Sequence, residues 1–461
     1  MKFAARLSID SAKCALFYPT EKHMMCKLPL WLRLFTLLAI TIAASAGAGR
    51  AQEADTPLQQ PAGKTTGNRQ KPIVTGAARM ELYLPLLKGK RVGLFANNTS
   101  IVGQTNLVDT LVRRGIAVTI IFGPEHGFRG TADAGEKVGN YNDPATGIPV
   151  VSLYGNKHRP SAEDLRNVDV MLFDIQDVGV RFYTYISSLQ EYMEAAIENN
   201  KPLLLLDRPN PNGFYVDGPV LDLRFKSFVG MQPVPIVYGM TLGEYAAMLL
   251  QEGWLSVKKP ANSTVYTDAT VKPGTINTSQ FSFTVIRCAN YTHKSHYILP
   301  VKPSPNLPDM SAVYWYPSTC LFEGTILSEG RGTSKPFQLF GHPSLPQNLD
   351  TFTPRSVPGA TSPKLKDQLC YGWDVSGTPE EVLKATGGKI QLKWLLEAYR
   401  LFPQKDSFFL KNGAVFNRLA GNYELMDFVR TQILEADIRK TWEPGLNKFR
   451  KIRKKYLLYG D

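Results

Sequence analysis

Four short apolar runs, RVGLFAN (91–97), VTIIFG (118–123), VDVMLFD (168–174) and PLLLLD (202–207), recur through the first half of the chain with amphipathic stretches between them. Each is short and rich in Val, Ile, Leu and Phe, the pattern of strands buried on both faces. LVDTLVRRG (107–115), SAEDLRN (161–167) and TYISSLQEYMEAAIENN (184–200) supply the connections that parallel strands need. The last reads as a helix, with Ile186, Leu189, Tyr192, Met193 and Ile197 on one stripe. TLGEYAAMLLQEGWL (241–255) follows as a second helix, with Thr241 as N-cap and Glu244 completing a capping box. The expectation is an α/β fold: a doubly wound parallel sheet with helices on both faces over residues 73–255. Residues 256–461 change character, with STVYTDATV (263–271) and FSFTVIRC (281–288) reading as strands. IQLKWLLEAYRLF (390–402), YELMDFVRTQILEADI (423–438) and the basic end of the chain read as helices, so a smaller α+β C-terminal domain is expected.

The first 51 residues read as an upstream extension and a secretory signal peptide. Lys27 and Arg33 precede an apolar run over 34–44 and a small-residue tail, ASAGAGRAQ, and Met24 or Met25 is the more natural start. The run is shorter than the roughly 20 apolar residues of a membrane span, so cleavage is expected rather than anchoring. Residues 52–72, rich in Gln, Thr, Gly and Pro, read as a disordered linker. The mature protein is thus expected to be exported, periplasmic or extracellular, with no stable membrane span. Three cysteines follow the leader, Cys288, Cys320 and Cys370, and none sits in a CxxC pair. That count supports neither a disulfide framework nor a thiolate zinc site.

The formal charge is +13, and residues 1–51 hold seven of the Lys and Arg and two of the Asp and Glu, leaving a net +8 for the remainder. Much of that excess lies in FRKIRKKYLLY (449–459), either a solvated helix face or an attraction to an anionic polymer. No nucleic-acid-binding module is visible.

In an open parallel sheet, ligands bind outside the carboxyl ends of the strands. Here those ends carry FANNTS, FGPEHGFRG, FDIQDVGVRFYTY and LDRPNPNG. They bring Asn97, Asn98, Glu125, His126, Arg129, Asp174, Gln176, Asp177, Arg181, Asp207, Arg208 and Asn210 to one edge as candidates for one polar cleft. Several have a structural alternative. Asp207 is equally a turn former, Asp174 and Asp177 pair with Arg181 or cap the following helix, and His126 bonds within its loop. Glu125, between Pro and His in a Gly-flanked loop, has no helix to cap. The chain lacks GxGxxG after the first strand, GxxxxGK[ST] and GxSxG, so dinucleotide, P-loop and esterase readings have no support. Carboxyls beside Phe182, Tyr183 and Tyr185 suit sugars, with acid and base groups at the glycosidic bond and aromatic faces against pyranose rings. Glu125 is the expected general acid, which asks for apolar neighbours or a nearby carboxylate such as Asp174 to keep it protonated. A loop in the second half, CLFEGTILSEGRGTSKPFQLFGHP (320–343), adds Glu323, Glu329, Arg331, Ser334 and Lys335. It is either an interface turn or a wall that presents Arg331 to an anionic group. Asn306 is a further candidate for that wall, or part of a Pro-rich turn.

FGPEHGFRG, SLYG (152–155), FDIQDVGVRFYTY, LDRPNPNG and SEGRGTSKPFQLFG together resemble the NamZ-type exo-β-N-acetylmuramidases, glycoside hydrolase family 171, formerly a domain of unknown function. The resemblance runs from about residue 73 to the C-terminus. It implies a Rossmann-like catalytic domain with the cleft completed by the C-terminal domain. It also implies hydrolysis of the β-1,4 bond after a non-reducing terminal N-acetylmuramic acid (MurNAc) of peptidoglycan fragments, without a cofactor or metal. The family's catalytic Glu matches Glu125. Motif membership extends catalytic roles to His126, Asp174 and Asp177. Together with the strand-end positions, it extends substrate contacts to Asn97, Asn98, Arg129, Gln176, Arg181, Tyr183, Tyr185, Asp207, Arg208, Asn210, Glu329, Arg331 and Ser334. The MurNAc lactyl carboxylate would meet Arg331, Arg208 or Arg181. Rival readings are a catalytically silent glycan-binding protein and another peptidoglycan hydrolase, an amidase or deacetylase.

Overall fold

Side chains on successive residues of a strand point to opposite faces, so a strand buried on both sides must feed two separate cores. The computed structural model describes residues 71–130, 139–258, 260, 265–270, 272 and 276–461. The expected leader and all but the end of the expected linker lie outside the described residues.

The first strands are β1 (Arg91–Ala96), β2 (Ile101–Val102), β3 (Thr105–Asn106), β4 (Ala117–Gly123), β5 (Tyr141–Asn142), β6 (Pro149–Ser152), β7 (Val170–Asp174) and β8 (Leu203–Leu206). Next come β9 (Asp217–Val220), β10 (Pro235–Val237), β11 (Val265–Thr267), β12 (Phe283–Ile286), β13 (Leu339–His342), β14 (Asp350–Phe352) and β15 (Cys370–Asp374). Helices α1 (Met80–Leu87), α2 (Leu107–Arg113), α3 (Tyr185–Glu198) and α4 (Leu242–Gln251) belong to the first half. The second half carries α5 (Met310–Thr319), α6 (Pro379–Thr386), α7 (Lys393–Leu401), α8 (Ala414–Ala420), α9 (Glu424–Arg430) and α10 (Glu435–Arg453).

One eight-stranded sheet runs in the order β11-β12-β8-β7-β1-β4-β6-β5. Its pairings are parallel except β5 with β6. Val92, Leu94, Val170, Leu172, Leu204 and Leu206 pack with α1 and α2 on one face. Phe95, Phe122, Met171, Phe173, Leu203 and Leu205 pack with α3 and α4 on the other. Helices therefore cover both faces, as the sequence suggests. After β1 the chain winds outward through β4 and β6, then returns to β7 on the other side of β1. That reversal is the switch point at which doubly wound sheets open a crevice.

Two expectations need correction. The sheet does not stop at residue 255, because β11 and β12 extend it beside β8; the polar composition there reflects a sheet edge. The stretch 423–438, expected as one helix, breaks into α9 and α10, with Gln432 at φ 55°. The second half holds an antiparallel sheet, β13-β15-β14, against α5 to α10. Cys288, Cys320 and Cys370 are free and buried.

Candidate active site

At the switch point the strand-end loops and the second half enclose a cavity of about 450 Å³, the size of a small-ligand site. β4 delivers Glu125 and His126, β6 delivers Tyr154, Gly155 and His158, and the loop after β7 delivers Phe182 to Tyr185. Phe228 and Val229 come from the loop between β9 and β10. The second half closes the cavity with Ser304, Asn306, Leu307, Tyr316, Glu323, Arg331 and Phe337. His126, Thr184 and Phe337 hold left-handed backbone at φ 68°, 71° and 61°. Such conformations in residues with a side chain cost about 1–3 kcal/mol each and gather at functional sites. All three line this cavity.

Tyr154 is hydrogen-bonded to Glu125, and burial together with the Glu125 charge holds its phenol well above the usual range. Tyr183 and Tyr185 are raised by burial too, and each feels the Glu125 carboxylate. Glu125 thus sits among three tyrosines that keep their protons. The two Tyr rings stack edge to face at 4.8 Å, and Tyr183 meets Tyr316 at 5.8 Å. Tyr316 in turn meets Phe337 at 4.8 Å, with Arg331 over the Phe337 ring at 5.0 Å. An aromatic row therefore links Glu125 to Arg331. Burial alone would lower the Arg331 guanidinium, but Glu323 at 2.6 Å and Glu329 at 3.3 Å hold it above its ordinary value. Glu329 is itself paired with Lys364 at 2.8 Å, behind the cavity wall. His126 Nε2 lies 3.4 Å from the Ser304 hydroxyl.

Of the other candidates, most build the loops. Asp174 accepts a two-pronged contact from Arg208, at 2.6 and 2.8 Å, with both side chains buried. Burial pushes the Asp174 carboxyl up, and the guanidinium works against that push. Neither side chain lines the cavity. Asp177 accepts from Tyr238 and from the Gly179 amide at 2.6 Å, while its other oxygen is buried without a partner. Burial raises it to about 6. Asp207, also raised by burial to about 6, accepts from Tyr459 at 2.6 Å and Thr241 at 2.7 Å. Arg181 is fully buried and donates to the carbonyls of Pro219, Val234, Leu419 and Ala420. Asn97 donates to the Tyr185 hydroxyl at 2.9 Å, so it orients a cavity residue from behind. Asn98 reaches the Lys302 carbonyl, Arg129 is tied to Asp109 and Asp143, and Gln176 bonds the Asp177 and Pro209 carbonyls. Asn210 bonds the Met240 carbonyl and the Asn212 amide. Its side chain also fills the place a Cβ on Gly179, at φ 76°, would need, 2.1 Å away. Ser334 is exposed and outside the lining.

Sequence reasoning passed over Tyr154, His158, Phe228, Tyr316 and Phe337. For the first two the signal is SLYG, which marks the end of a short strand and the start of the loop that carries both. Phe337 lies within SEGRGTSKPFQLFG, whose charged residues draw attention first, whereas Phe228 and Tyr316 follow no strand of the main sheet and belong to none of the motifs. Among the described residues no three His, Cys, Asp or Glu side chains form a metal-binding group, and no helix is long and apolar enough to cross a membrane.

Residues 92–311 match the family model for the N-terminal part of exo-β-N-acetylmuramidase NamZ, and residues 314–459 match the model for its C-terminal part. The chain is 39% identical over 398 residues to the peptidoglycan β-N-acetylmuramidase NamZ of Bacillus subtilis (strain 168), covering 82% of this chain and 89% of that protein. Two crystal structures of DUF1343 family proteins from Bacteroides fragilis share the fold. One has TM-score 0.73 and 42% identity over 85% of this chain and 100% of its own. The other has TM-score 0.66 and 29% identity over 84% and 99%.

Proposed function

Because this chain belongs to the NamZ exo-β-N-acetylmuramidase family, we propose that its cavity binds the non-reducing end of a peptidoglycan glycan and hydrolyses the β-1,4 bond after the terminal MurNAc. The observation that carries this reading is the placement of Glu125 at the switch point, hydrogen-bonded to Tyr154 and joined by an aromatic row to Arg331. Glu125 gives its proton to the glycosidic oxygen as the bond to the anomeric carbon breaks, and water adds at that carbon, giving up a proton that restores the Glu125 carboxyl. The products are free MurNAc and a glycan ending in GlcNAc. Tyr154 fixes the carboxyl orientation, the Tyr183 and Tyr185 rings pack against the sugar, and Arg331 pairs with the lactyl carboxylate. His126 contacts substrate from the same loop. Asp174 and Asp177, expected to share the chemistry, serve as supports of the loop after β7.

The leader supports export, with action in the periplasm or outside the cell; N-terminal sequencing of the mature protein after cell fractionation tests this. Incubation with MurNAc-β-1,4-GlcNAc, followed by chromatography of the released sugars, tests the activity. Free MurNAc from the wild-type protein, and a loss of about 10²–10⁴-fold in rate for Glu125→Gln, are expected. Folded protein that binds the disaccharide and releases nothing would support the silent glycan-binding alternative.

A further inference from the structure

His158 and Phe228 line the same cavity but stand apart from the aromatic row. Their rings stack on each other, with centroids 4.2 Å apart and 25° between planes. They meet no other aromatic ring among the described residues. Both belong to loops held in place from outside. Lys157, just before His158, is paired with Asp164, and Arg159, just after it, is paired with Glu191, Glu194 and Glu198 on α3. The segment carrying Phe228 is a tight turn in which Ser227 and Gly230 exchange backbone hydrogen bonds at 2.9 Å. Gly230 packs on the buried Arg181 side chain, where a Cβ would come within 3.3 Å of Cδ and Nε. That contact gives the Arg181 clamp a consequence at the site.

The His158 ring is polar on one side only. Nδ1 is buried without a partner, and leaving an N–H so placed is costly. Nε2 is thus the ring nitrogen left to meet a ligand, and with the proton there it acts as a donor.

An enzyme that removes one sugar from a chain must also hold the sugar that leaves. The row from Tyr185 to Arg331 is taken up by MurNAc in that reading, and His158 and Phe228 make no ring contact with it. His158 follows Tyr154, the partner of Glu125, by four residues in the loop after β6. We propose that His158 and Phe228 form the subsite for the leaving GlcNAc unit, with Phe228 packing against the pyranose and His158 Nε2 donating to a hydroxyl or acetamido oxygen. This rests on the muramidase reading above.

The test compares kcat/KM on MurNAc-β-1,4-GlcNAc with kcat/KM on β-MurNAc fluoride, whose leaving group places no sugar in that part of the cavity. For His158→Phe, which keeps the ring and loses the donor, the ratio of disaccharide to fluoride falls about tenfold, the share of one hydrogen bond. Phe228→Ala lowers the ratio by a similar factor, about the share of one ring contact. His158→Gln, which retains a donor near the Nε2 position, and Phe228→Trp, which retains a flat face, restore most of it. Equal losses on the two substrates, an unchanged ratio, or failure of both rescue variants overturns the proposal. A wild-type protein that releases MurNAc from neither substrate overturns the muramidase reading itself and is recognised before any variant is made.

Discussion

Glu125 and Asp177 are both carboxyls beyond the ends of sheet strands, yet their surroundings give them different work. Glu125 opens on the cavity, whereas Asp177 is buried, bonded to Tyr238 and the Gly179 amide, with one oxygen facing no partner. Burial raises Asp177 to about 6 from a usual value near 3.8. An acid whose folded pKa exceeds its unfolded one binds more protons when folded, so its contribution to stability is present below the unfolded pKa and is lost as pH rises through the folded one. Asp177→Asn keeps an acceptor for both donors and removes the ionisation. Its stability relative to wild type should therefore rise by about 2 kcal/mol between pH 4 and pH 7.5, read by denaturant unfolding at the two pH values; a difference that does not change with pH refutes the assignment. At Arg331 the expectation concerns selectivity. Arg331→Met should raise KM for MurNAc substrates about 10–100-fold, the worth of a charge-assisted pair, while binding of the GlcNAc analogue, which lacks the lactyl group, changes little. Equal effects on both sugars would place the lactyl contact elsewhere. The strand-end rule finds the right edge of the sheet from sequence alone. It does not separate residues that face the cavity from those that build its loops, because that is decided by partners distant in the chain: Arg208 for Asp174, Tyr238 for Asp177 and Tyr459 for Asp207.

At the scale of elements, α4 shows where local signals suffice. Thr241 and Glu244 form the capping box that their spacing announces. The structure adds what spacing cannot carry: Thr241 also donates to Asp207, and Glu244 also accepts from the Leu458 amide at 2.7 Å and contacts His293 at 2.9 Å. The cap is thus bonded to the end of β8 and to the last residues of the chain. Thr241→Ala should cost more than the roughly 1 kcal/mol of an ordinary N-cap, about 2–3 kcal/mol once the lost bond to buried Asp207 is included. Chemical denaturation measures it, and a loss of 1 kcal/mol or less would mean that Asp207 finds another donor. The extension of the sheet by β11 and β12 was legible as strands but not as members of this sheet, since parallel pairing is fixed by register with β8 and not by any property of the strand itself. β6 is hard to read from sequence because PVVS holds only two apolar residues between Pro149 and Ser152, whereas β8, equally short, is four leucines.

At the scale of the molecule, the two halves share a core. Val178, Val180 and Phe182 from the loop after β7, with Ile236 and Val237 of β10, pack in the same cluster as Trp315, Phe340, Leu395 and Trp442. Arg181 ties the carbonyls of Pro219 and Val234 to those of Leu419 and Ala420 across the same boundary. Two domains that were merely apposed would melt separately, whereas domains that bury a common cluster lose it together. Calorimetry of the mature protein should therefore show one cooperative transition, and two resolved peaks would refute the shared core. Arg181→Met leaves four buried carbonyls short of a donor, which should lower stability by about 3–5 kcal/mol without splitting the transition. The same substitution should disturb the Phe228 turn through Gly230, so its effect on kcat/KM should exceed that of an equally destabilising change remote from the cavity, such as Leu87→Ala in the core at the end of α1, before the N-terminal end of β1. If activity follows stability alone across these variants, the clamp holds the two halves together and contributes nothing to the geometry of the site.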